Sequence, residues 1–140
     1  MHPRAQELIE KLALAPHPEG GWYRQVFKSQ ERVTRLRDGA DRTALTTIYF
    51  LLAEGTYSAW HRVESDEAWH FYEGDPLELL TRVHPTDAPS STRLDETNRV
   101  HVVPAGHWQA ARPLGAWALA GCTVGPGFEF DDFELQPGPI

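Results

Sequence analysis

The sequence predicts an all-β fold, a closed barrel or two-sheet jelly roll, with one short helix at its front. Three observations carry that prediction. Runs rich in Val, Ile, Tyr, Phe, Trp and Thr recur along the chain, Gly and Pro clusters punctuate the gaps, and a helical apolar period occurs once. With 140 residues the chain has the length of about one domain, residues 1–140, and can bury a real core.

The helix comes first. Ala5, Leu8, Ile9 and Leu12 fall on one face, Pro3 suits a first-turn position, and Pro16 with Pro18 prevents continuation, so a helix is expected over about 4–15. The pattern then turns to β over about 21–136, in "WYRQVF", "LTTIYFLL", "SAWHRV", "AWHFY", "LELLTRV", "RVHVVP", "HWQAA" and "AWALAGCTV". Adding "PGFEFDDFEL" as a final strand that packs its rings inward makes about nine strands, a number suited to a jelly roll. The polar stretches "SQERVTRLRDGADR" and "HPTDAPSSTRLDETN" read as loops. No repeat or linker interrupts the chain.

Composition narrows the partners. Twenty acidic residues against 13 basic ones give a net charge of −7 without a basic cluster, which argues against nucleic acid. No stretch has the roughly 20 apolar residues of a membrane span, and "MHPRAQELIEKLALAP" lacks the apolar run of a secretory signal. A cytoplasmic protein with a small-molecule ligand is the expectation. The single cysteine, Cys122, lies in an apolar run and reads as core. Strand alternation gives "TTIYFLL" bulky groups on both faces, so its sheet needs cover on both sides, from the N-terminal segment or from a second copy in a homodimer.

Chemistry concentrates in "GTYSAWHRVESDEAWHFYEG". Alternation places Tyr57, Ala59, His61 and Val63 on one face and Ser58, Trp60 and Arg62 on the other. Gly55, His61, Glu67 and Gly74 follow the spacing of the first cupin motif, with Val63 in place of its second histidine. Pro104 and Gly106 follow the second motif, with Gln109 in place of its histidine. The blocks "HPEGGWYRQVF", "TTIYFLL", "SAWHRVESDEAWHFYEGDPLELL", "VPAGHWQAA" and "GCTVGPGFEFDDFEL" resemble one branch of that superfamily, cupin family five, whose reactions are largely unassigned. The resemblance implies a cupin jelly-roll barrel with a cavity, and it makes Glu19 and Arg24 candidate cavity residues.

Metal-binding cupins usually offer three histidines and a glutamate. This chain keeps His61 and Glu67 of that set, Val63 cannot donate, and Gln109 is a weak neutral ligand. His107 shares a strand face with Gln109 and is a candidate substitute. No tightly bound cofactor is expected, with a divalent transition metal at His61 and Glu67 as the alternative. Without metal, a carboxylate bonded to one imidazole nitrogen makes His61 and Glu67 a positioned general base. Trp69 and Phe71 share the face of Glu67 and would wall the pocket. Tyr49 is the candidate acid, and Thr47, Ser58, Arg62 and Gln109 are candidate ligand contacts. The expected function is an isomerase or epimerase acting on a sugar-like or keto-metabolite. A metal-dependent dioxygenase or hydrolase and a non-catalytic metabolite-binding module are the alternatives.

Overall fold

The computed structural model describes all 140 residues. A helix, α1 (Pro3–Lys11), precedes a short strand β1 (Ala15–Pro16), and β2 (Trp22–Lys28) follows. The chain continues through β3 (Arg32–Thr34), β4 (Asp41–Thr43), β5 (Thr46–Ala53), β6 (Ser58–Arg62), β7 (Asp66–Gly74) and β8 (Leu77–Arg82). It ends with β9 (Ser90–Leu94), β10 (Val100–Val103), β11 (Trp108–Pro113), β12 (Trp117–Gly125), a 3-10 turn at Phe130–Asp132 and β13 (Glu134–Leu135). One sheet has the order β1-β2-β5-β12-β7-β10, the other β13-β6-β11-β8-β9, and β3-β4 forms a separate hairpin. The two larger sheets make the jelly roll.

Period-two alternation explains the core between them. Phe50 and Leu52 of β5, Trp69 and Phe71 of β7, and Ala118, Ala120 and Cys122 of β12 point inward. They meet Leu77 and Leu79 of β8, Leu94 of β9 and Ala111 of β11. Each fully buried large side chain here contributes roughly 2 kcal/mol. The opposite face of β5 and β12 presents Leu51, Trp117 and Leu119, which Ala5 and Leu8 of α1 cover. The expected helix face is therefore the one used, although the helix ends at Lys11 and not near 15. Ala13 adopts a left-handed conformation at φ 53, and Leu14 turns back to bond Ile9 and enter the same cluster.

Three expectations fail locally. The first polar stretch forms the β3-β4 hairpin, and Ser90–Leu94 of the second pairs with β8. Polar strands at an edge need ladder partners more than apolar residues, so composition hid them. The terminal aromatic segment is a 3-10 turn followed by a two-residue strand, where one longer strand was expected.

Candidate functional site

The polar centre sits at one end of the space between the sheets. A cavity of about 210 Å³ is lined by His17, Glu19, Tyr23, His61, Glu67 and Cys122, with Thr46, Ile48 and three phenylalanines among the other walls. His61 enters from β6 and is only 2% exposed. Its Nδ1 lies 2.7 Å from the Ala59 carbonyl oxygen. A carbonyl only accepts, so Nδ1 carries the hydrogen and the neutral ring presents a lone pair at Nε2.

Glu19 meets that lone pair. Its Oε2 is 3.2 Å from His61 Nε2, and its Oε1 accepts the Ser58 hydroxyl at 2.9 Å. Backbone geometry delivers it: Gly20 has φ +111, and a β-carbon there would lie 2.1 Å from the Tyr57 carbonyl oxygen. Only glycine allows the loop to approach β6 so closely. The Ala59 amide then donates to the Glu19 carbonyl, and the Glu19 amide donates to His17 Nδ1.

A bulge in β6 completes the arrangement. Gln109 of β11 pairs with His61 and Ala111 with Ser58, so two steps on β11 span three on β6. Strict alternation would turn Ser58 away from His61. The bulge brings both to Glu19.

Glu67 stands on β7 with different partners. Its Oε1 accepts from Gln109 Nε2 at 2.9 Å, while Gln109 Oε1 accepts from Trp69 Nε1 at 2.7 Å. The bond expected between His61 and Glu67 is thus made by Glu19, because the loop before β2 reaches the imidazole first.

Burial sets the protonation. It pushes Glu19 up to about 8, against the Ser58 hydrogen bond. It pushes Glu67 up to about 7, partly offset by His61 and reinforced by Glu19. Burial depresses His61, opposed by Glu67 and the Ala59 carbonyl, and with His61 nearby it lowers His17 to about 4. Both carboxyl groups are thus held toward the protonated form near neutrality, Glu19 more strongly than Glu67, with Glu19 Oε2 placed to share its proton with His61 Nε2.

Several expected positions lie elsewhere. Tyr49 and Thr47 occupy the face of β5 opposite Thr46 and Ile48: Tyr49 packs against the α1 cluster and Thr47 bonds Thr123. Arg62 pairs with Glu134 and lies over Trp108. Arg24 donates to the Leu12 carbonyl. Trp69 and Phe71 belong to the core beneath the site, and Trp69 acts through Gln109. His107 is in the turn that its amide closes onto Pro104. The apolar walls come instead from Tyr23, Ile48, Val63, Val124, Phe128, Phe130 and Phe133. In the sequence, His17 lay inside a turn signal and the phenylalanines inside an apparent strand.

The protein-family comparison decides the membership. Residues 6–136 match the family described as cupin superfamily (DUF985). This chain is a DUF985 cupin. A hypothetical protein from Leishmania major is 32% identical, with a TM-score of 0.86 over 94% of this chain and 86% of that one. A protein from Shewanella oneidensis is 33% identical, with a TM-score of 0.82 over 94% and 84%. Oxalate decarboxylase from Bacillus subtilis shares the fold at 16% identity, with a TM-score of 0.63 over 86% of this chain and 29% of that one. Among curated proteins none matches.

The metal positions of other cupins can be tested against this cupin's own donors. Val63 offers none, both ends of the Gln109 amide are engaged, and His61 Nε2 faces Glu19. No three His, Cys, Asp or Glu side chains converge as ligands would. This donor set does not fit a tightly held transition metal.

Proposed function

We propose that this cupin is a metal-independent proton-transfer enzyme, an isomerase or epimerase of a small keto-metabolite or sugar-like molecule. One observation carries the reading: His61 Nε2 and Glu19 Oε2 lie 3.2 Å apart, within proton-sharing distance, at the wall of an apolar cavity that Glu67 also lines. The two carboxyl groups, raised to about 8 and about 7, differ enough that between those values Glu19 can give a proton while Glu67 takes one. Glu67 removes the proton α to a carbonyl. Glu19 turns its proton from the His61 lone pair to the developing enolate oxygen and gives it up there, leaving the carboxylate held by Ser58. Return of both protons, with delivery to the opposite face or the neighbouring carbon, completes epimerisation or isomerisation and leaves the protein unchanged.

Deuterium wash-in from heavy water tests it. A panel of ketoses, aldoses and small ketones is incubated with the protein, and α C–H exchange is followed by NMR. Exchange is expected for at least one compound and is expected to vanish in Glu67→Gln and His61→Ala. Its rate should rise with pH near 7 as Glu67 ionises and fall above about 8 as Glu19 does. A ligand that binds without exchange would make the protein a binding module. His61→Ala should keep the fold, and a melting temperature lowered by more than about 5 °C would mark the imidazole as structural.

A further inference from the structure

The cavity's walls select by charge. No lysine or arginine lines it, and its titratable groups are His17, Glu19, Tyr23, His61, Glu67 and Cys122. An anion would meet two carboxyl groups and no fixed positive charge. Aromatic rings line the same cavity, with Phe133 5.7 Å from the His61 ring and Phe130 6.3 Å from the His17 ring, centroid to centroid. The ring planes of Phe128, Phe130 and Phe133 are mutually near perpendicular, at 81°, 74° and 78°, with centroids 5.0–6.0 Å apart. Tyr23 adds a fourth ring against His17, with centroids 4.4 Å apart. Aromatic rings beside carboxyl groups in one small cavity suit a compact organic cation, through ring quadrupole and charge together.

We infer that the cavity binds a small organic cation of the alkylammonium type, its charge held by the Phe128, Phe130 and Phe133 rings together with the Glu19 and Glu67 carboxyl groups. The binding claim stands on its own, and its extension to a cationic substrate rests on the proton-transfer reading above. A positive charge beside the carbonyl would acidify the α C–H that Glu67 removes. Binding a cation favours the ionised carboxyl groups, so uptake is coupled to proton release. The groups facing them from every surrounding element are His17 from the loop before β2, Tyr23 of β2, His61 of β6 and Cys122 of β12. Burial keeps His17 and His61 neutral over the range in which Glu19 and Glu67 titrate, and holds the Cys122 thiol protonated there.

Three probes of nearly equal shape decide the matter: tetramethylammonium, neopentyl alcohol and pivalate, each titrated by NMR and by thermal shift. At about pH 8.5 tetramethylammonium should bind roughly tenfold or more tightly than neopentyl alcohol, and pivalate least. Tetramethylammonium affinity should fall about tenfold by about pH 5.5, as the carboxyl groups take up protons, while neopentyl alcohol shows no trend. Glu67→Gln should weaken the cation and flatten its pH dependence. If that variant does not fold, the wild-type pH series with the three probes decides alone. Pivalate or neopentyl alcohol binding as tightly as the cation, or cation binding independent of pH, overturns the inference. Cation binding without deuterium exchange into any aminoketone, ketose, aldose or small ketone would sustain it and remove the proton-transfer reading. Exchange into neutral ketones with no preference for the cation would do the reverse.

Discussion

Asp132 and the Glu19–Glu67 pair are all carboxyl groups withdrawn from water, yet they end in opposite states. Asp132 receives Arg35 Nη1 at 2.9 Å and Arg42 Nη2 at 2.8 Å, and these guanidinium hydrogen bonds hold it down to about 2 despite burial. Glu19 and Glu67 receive a hydroxyl and an amide, and burial carries them up to about 8 and 7. Depth alone therefore does not decide what a carboxyl group does. The cluster at Asp132 clamps the turn that carries Phe130 against the β3-β4 hairpin, whereas the uncompensated pair keeps protons exchangeable at neutral pH.

Breaking the clamp gives the largest expected effect. Asp132→Ala removes the carboxylate shared by two guanidinium groups, leaving Arg35 only Asp38 and Arg42 only Glu129 as carboxylate partners, and should cost roughly 3 kcal/mol, read by urea unfolding, with Asp132→Asn costing less. The Asp132 contribution is present above its unfolded value of 3.8 and is lost as pH falls through about 2.

The cavity pair should behave with the opposite sign. Glu67 binds its proton more tightly when folded, so its contribution is full below 4.5 and disappears as pH rises through about 7. Glu67→Gln should accordingly gain about 2 to 3 kcal/mol over wild type at about pH 8.5 and little at pH 4, while losing exchange activity. A variant less stable at both pH values would show that the Glu67 environment is not set by burial.

Gly20→Ala sharpens the comparison from the backbone side. Its left-handed φ and the Tyr57 carbonyl predict a loss of about 2 kcal/mol and retreat of Glu19, with the His61 ring nitrogen shifts moving in NMR. Tyr49→Phe should change least, within about 0.5 kcal/mol and without effect on exchange, because Tyr49 faces α1. Loss of exchange in that variant would return Tyr49 to the chemistry.

The fold was legible because its signals are local. Alternating apolar runs and Gly or Pro breaks located the main strands, and one helical face matched the cluster that covers β5. The site was legible only where alternation holds. His61 and Glu67 follow it, but alternation leaves open which face is inside, and for Tyr49 and Thr47 the outer face was chosen. Ser58 could not be placed by alternation, since a bulge has no signature in "YSAWHRV". Glu19 reached the candidate set through family resemblance alone. Its meeting with His61 depends on a close approach between segments about forty residues apart, which composition does not encode.

Cys122 sits in the cavity wall as the chain's single thiol, and burial raises it well above the usual thiol range. Alkylating reagents should label it slowly, at a rate set by how often local opening exposes the thiol. The protein thus has an internal stopwatch for its own opening. Labelling half-lives with and without a bound guest would time how often the chamber breathes, with no engineered reporter.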